Sequence, residues 1–217
     1  MKGLLKNNYF AVRANAKTFA ALMLLAGIFV VAVISPPLLT GYALSVMVGF
    51  SFIAAGGSIE KDAAKWSKYK LTAPVKRSDI VKSSFISLLV WLAAGTVFAG
   101  IAVALSVMLH GFPFDRNVDI FMLFVVGIGL SLFMGAIFFP LYYLGAGGED
   151  RNGVFLIISL LFGIGIVMGL SSLINTLFPN MTVLQLIGGG IAILACALLV
   201  YGLAYPLSVC IFKKKEY

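Results

Sequence analysis

The chain has 217 residues, of which 61% are hydrophobic and only 11% charged, with a mean hydropathy of +1.07. A water-soluble domain of this size has too much surface to cover with so few charges. The composition therefore excludes a soluble enzyme or binding module and leaves one membrane domain over residues 1–217. The net charge of +8 points to membrane topology and anionic headgroups rather than to nucleic acid, which would need a basic soluble module.

Residues 1–17 form a leader in which Leu4, Leu5, Tyr9, Phe10 and Val12 mix with Lys2, Lys6, Arg13 and Lys17. That mixture suits a helix lying in the membrane interface, and no cleavable signal peptide is expected. Six apolar stretches follow, at about 18–35, 38–57, 83–109, 118–141, 154–177 and 183–212. Each is long enough to cross roughly 30 Å of hydrocarbon as a helix. The expected fold is all-α, with six transmembrane helices. Ser35-Pro36-Pro37 separates the first two as a helix-breaking turn, which makes them a hairpin. Pro140 and Pro206 are expected to kink or end their helices.

Orientation follows from the basic residues. The leader, the loop at 58–82, Arg151 and the Lys213–Lys215 tail hold fifteen of the sixteen Lys and Arg residues; only Arg116 falls on the other side. The positive-inside rule places both termini and the two charged loops in the cytoplasm. On the outer side, His110, Asp115 and Asp119 share a loop, but their spacing matches no metal pattern and no metal site is expected. Cys196 and Cys210 lie 14 positions apart in the last span, or about 21 Å along a helix, too far to bridge.

The span interiors hold no Asp, Glu, Lys, Arg or His. Ion-coupled transporters keep ionisable groups near the midplane, and membrane enzymes need polar catalytic groups there. No phosphate-binding Gly-x-x-x-x-Gly-Lys-Ser/Thr sequence occurs either. The chain is thus expected to be no enzyme, to bind no cofactor, and to draw any energy from a partner. Small residues, including the Gly165 and Gly169 pair at four-residue spacing, offer close helix packing instead.

The most informative stretch is residues 58–84, SIEKDAAKWSKYKLTAPVKRSDIVKSS. Ser58 can cap a short helix with Glu60 and Asp62 in its first turn and Lys65, Lys68 and Lys70 toward its end. Pro74 stops that helix, and Ser78 or Asp79 caps the next. Trp66 among these charges reads equally as an interfacial anchor or a protein-docking residue.

The run Trp66-Ser67-Lys68-Tyr69, then Leu71-Thr72-Ala73-Pro74-Val75, then Arg77-Ser78-Asp79-Ile80-Val81 resembles the small permeases of ABC type-2 exporters. A second element, Pro140-Leu141-Tyr142-Tyr143-Leu144-Gly145 followed by Glu149-Asp150-Arg151, is similar to another of that family's cytoplasmic motifs. Thr72-Ala73 and the longer Ala146-Gly147-Gly148 depart from the usual pattern. The resemblance implies a coupling helix between helices 2 and 3, seated on a separate ATPase. Glu60, Asp62, Lys65, Trp66, Lys68, Tyr69 and Arg77 would belong to that contact, and Glu149, Asp150 and Arg151 to a secondary one. It also implies two ATPase copies carrying the ATP and Mg, and a second, identical permease subunit forming a homodimer. The chain would sit as a multi-pass protein in a bacterial cell membrane and export an amphipathic or hydrophobic substrate, with a peptide, as in antimicrobial-peptide resistance, the leading expectation. The alternative is a non-transporting immunity or sensor protein that binds a membrane-active peptide.

Overall fold

A computed structural model describes residues 2–33, 35–63, 76–111, 114, 117–145, 149–177 and 182–214. Within these, the side chains of 2, 58, 60–63, 117, 149, 150, 175 and 177 are not described. The described residues form six helices and no strand: α1 (Lys2–Ala32), α2 (Pro36–Ala63), α3 (Arg77–His110), α4 (Asn117–Leu144), α5 (Glu149–Leu177) and α6 (Val183–Lys214). All six are long and apolar enough to cross a membrane.

The helices overrun the expected spans at their polar ends. The leader is helical and continuous with the first span: α1 is a single helix of 31 residues, about 46 Å long. Nothing between Ala16 and Phe19 breaks it, since neither Gly nor Pro occurs there. Pro36 and Pro37 are the opening residues of α2 rather than a turn before it. Their fixed φ and missing N–H suit the first helical positions. The first intrahelical bond then runs from the Leu39 N–H to the Ser35 carbonyl at 3.0 Å.

At its other end α2 continues through Ser58 to Ala63. Ser58 therefore lies inside a helix instead of capping a new one. The chain offers no proline before Pro74 to stop propagation, and Gly57 lets the helix lie against α1, where an added Cβ would stand 2.6 Å from Val12 Cγ2. Likewise α3 begins at Arg77, before the expected Ser78 or Asp79 cap. Lys76 is the N-cap by backbone geometry, without a side-chain bond. Pro140 and Pro206 sit within α4 and α6, which run on to Leu144 and Lys214.

Contacts between helix ends define two faces. Asn8 of α1, Ser83 and Ser84 of α3, Tyr143 of α4, and Phe212 of α6 meet at one end, through bonds given below. At the opposite end His110 of α3 donates from Nε2 to the Val31 carbonyl of α1 at 2.9 Å. The first gathers most of the basic residues of the described helices and is termed the basic end.

The core has two parts. Toward the basic end, Phe85 and Leu88 of α3, Phe133, Phe138 and Phe139 of α4, Leu156 of α5 and Tyr201 of α6 pack together. The second part runs along the bundle, from Val12 of α1 near the basic end, through Val46 and Met47 of α2 and Ala99 of α3, to Val103 of α3 and Leu123 of α4. Gly95 sets the approach of α3 to α2: a Cβ there would lie 3.2 Å from Met47 Cα and from the Val46 carbonyl oxygen.

Candidate coupling site at the basic end

The residues singled out in the sequence fall into three groups. Glu60 and Asp62 lie on the last turn of α2, and Glu149 and Asp150 open α5, but their side chains are outside the described structure. Lys65, Trp66, Lys68 and Tyr69, with the coupling helix expected around them, are outside the described residues altogether. Arg77 and Arg151 are described, and both turn back onto the chain.

Arg77 opens α3, and its Nη1 donates to the carbonyls of Lys213 at 3.1 Å and Phe212 at 3.4 Å. The guanidinium stands 5.9 Å from the centre of the Phe212 ring, within cation–π range. Arg151, on the exposed side of α5, donates from Nη2 to the Gly145 carbonyl just beyond α4. Carbonyls at a helix C-terminus lack partners within the helix. Both arginines therefore complete neighbouring helix ends, with Arg77 crossing from α3 to α6.

Further polar groups meet at this end, and of these sequence reading singled out only Tyr143, within the Pro140–Gly145 element. Asn8 Nδ2 donates to Ser83 Oγ at 3.0 Å in a buried contact, tying the leader part of α1 to α3. Ser83 Oγ in turn donates to the Ile80 carbonyl at 2.8 Å. The Tyr143 hydroxyl donates to Ser84 Oγ at 3.3 Å. Asn152 is buried, and among the described residues its Oδ1 has no hydrogen-bond partner. Asn8 sat unremarked in a mixed leader, and Ser83 and Ser84 read as the polar margin of a span. Only a helical wheel that placed Asn8 beside the buried Val12 would have marked it.

The outward side of the leader carries Tyr9 and Phe10, both exposed. Lys6 Nζ and the Arg13 guanidinium stand 6.0 and 5.9 Å from the Phe10 ring. Tyr9 stacks on Trp91 of α3 at 5.6 Å, and Trp91 stacks in turn on Phe50 of α2 at 6.1 Å. Aromatic rings flanked by cations are the residue types found where a helix meets headgroups.

At the opposite end a cleft of about 400 Å³ opens between α2 and α4, lined by Pro36, Thr40, Leu44, Asp119 and Met122. Along α4 and α5 a shallower groove of about 540 Å³ presents Ser171, Ser172 and Thr176 beside Val126 and Met168. Among the described residues no group of three His, Cys, Asp or Glu side chains could hold a metal. Cys196 and Cys210 are both free thiols on α6.

Six membrane-length helices, with arginine-capped helix ends gathered on one face, define a polytopic helical membrane protein. Residues 3–213 match the family model described as ABC-2 family transporter protein, so the chain belongs to that family. It is accordingly a permease-type membrane subunit of an ABC transporter, with an ABC ATPase as the partner the family implies. No curated protein and no solved structure shows a significant match to the chain.

Proposed function

We propose that the chain is the membrane subunit of an ATP-driven exporter in a bacterial cell membrane, with the basic end facing the cytoplasm. The observation that carries this reading is the family match over nearly the whole chain, joined to the gathering of basic residues at one end. The chain hydrolyses no ATP itself; ATP and Mg belong to two partner ATPase subunits. The last turn of α2, with Glu60 and Asp62, and the segment after it, with Lys65, Trp66, Lys68 and Tyr69, meet the ATPase, and the start of α5 at Glu149 and Asp150 makes a secondary contact. The Lys6–Phe10–Arg13 face of α1 rests against anionic headgroups. Two identical permeases enclose the path.

The cargo is amphipathic or hydrophobic, and a peptide fits best. The spans carry no charged side chain in their interiors, and a bare lining favours apolar cargo over ions or sugars. The grooves support this reading, since their linings are chiefly apolar, with a few hydroxyls and one carboxylate, Asp119, at the outer end of the α2–α4 cleft.

Co-purification tests the assembly. The tagged chain is expected to recover an ABC ATPase, and Trp66→Ala combined with Glu60→Ala is expected to weaken that recovery or to uncouple hydrolysis from transport. Unchanged association and transport in the double variant would remove the coupling assignment. Recovery of no ATPase by the unmutated chain would favour a peptide-binding immunity or sensor protein. Amphipathic cationic peptides are expected to stimulate hydrolysis by the reconstituted complex, and flat rates across a peptide panel would dismiss peptide cargo.

A further inference from the structure

Arg77 reaches across the bundle instead of along its own helix. The last carbonyls of α6 sit at the negative end of that helix's dipole, so the guanidinium caps α6 from outside. Its planar fork can serve two carbonyls and a ring face together, which a point-charge ammonium does less well. Beneath it the contacts continue inward without a gap. Phe212 meets Tyr143 at 5.2 Å, and Tyr143 meets Tyr142 at 5.0 Å. From there rings pass through Phe138 and Phe139 at 5.6 Å each to Phe85 at 4.5 Å and Tyr201 at 5.0 Å. The Tyr201 hydroxyl closes the path by donating to the Phe85 carbonyl at 2.9 Å.

We propose that Arg77 is a positioning residue that clasps the start of α3 to the end of α6, so that a push delivered at the start of α3 moves α3, α4 and α6 as one body. This rests on the permease reading, in which the segment just before Arg77 meets the ATPase. It changes the expected role of Arg77 itself: the side chain is engaged within the permease and is not an ATPase contact. A close-packed row of rings transmits displacement because it has no slack to absorb it. Deeper in the bundle α6 also meets α3 where Phe85 packs on Tyr201 and Tyr205.

The α3-to-α6 distance tests this. Spin labels are placed on the native Cys210, exposed on α6, and on Lys82→Cys, an exposed position on α3, in a Cys196→Ser chain. Electron–electron double resonance is recorded on the full chain co-purified with its ATPase, with and without Mg and a non-hydrolysable ATP analogue. The labelled chain is diluted with unlabelled chain so that distances within one subunit dominate; with Arg77 intact, one such population is expected, unchanged by nucleotide. In Arg77→Ala a second, longer population is expected on adding nucleotide, while the ATPase is recovered as before. Arg77→Lys keeps donors for the carbonyls and is expected to fall between. Phe212→Leu, which removes the ring alone, is expected to give the second population in smaller proportion.

The same single population in Arg77→Ala with nucleotide overturns the clasp. Loss of the ATPase from Arg77→Ala overturns it too, by making Arg77 a partner contact. An unmutated chain that recovers no ATPase removes the permease reading and the relay together, an outcome distinct from either failure of the variant.

Discussion

Helices α2 and α4 differ from α1, α5 and α6 in what covers them. About half of the most apolar window of α2 and α4 is buried within the subunit, 50% and 56%, against 11%, 22% and 17% for the other three. All five qualify equally as membrane spans, so hydropathy does not separate them. What separates them is the neighbour: α2 and α4 carry helices on several sides, and the outer three turn one face to the bundle. Leu25, Ile28 and Phe29 on α1, Leu161 and Met168 on α5, and Leu198, Leu199 and Leu203 on α6 are left bare. In a bilayer such faces need no cover, because lipid is as apolar as leucine.

Substitutions that probe packing should therefore divide by face. Gly95→Val places branched bulk against the α2 backbone and is expected to cost about 3 kcal/mol, the upper part of the overpacking range; thermal unfolding in detergent measures it. Asn8→Ala leaves buried Ser83 without its donor and is expected to cost about 2 kcal/mol by the same assay, since a buried group loses its partner. Tyr201→Phe removes one hydroxyl bond while keeping the ring, for an expected loss of about 1 kcal/mol. Smallest of all is Gly165→Val on α5, where an added Cβ meets nothing within 4 Å. Its expected effect on the subunit is below about 0.5 kcal/mol. A large loss there, absent from the monomer and present in the assembled complex, would show that a second copy packs on this face.

The number of helices, their membrane-crossing cores and the gathering of charge at one end were legible because they depend on local composition and on the thickness of the bilayer; how far each helix runs on at its polar end was not. The role of individual small residues was not. Gly165 and Gly169 carry the spacing that suggests helix packing, yet both are open in the subunit. Gly163, two positions earlier, is the one pressed against the α4 backbone, with an added Cβ only 3.3 Å from the Met134 nitrogen. Spacing reports which residues share a face; it does not report which face is inward. Arg77 shows the same gap for charge. Its position at the head of α3 was legible to within two residues, but its partners are 135 and 136 residues away, beyond any local pattern.

The two prolines at the head of α2 bear on how the chain reaches the membrane. The first turn of a helix leaves four N–H groups without intrahelical partners, and each would have to shed water to enter hydrocarbon at a cost of several kcal/mol. Pro36 and Pro37 lack two of them outright, while Thr40 folds its hydroxyl onto the Pro36 carbonyl at 2.8 Å. The tip joining α1 to α2 thus has few polar groups to dehydrate. In the orientation proposed above, the pair can cross the bilayer during insertion as a preformed hairpin, tip first, with the charged leader and the basic end of α2 left on the side where the chain was made.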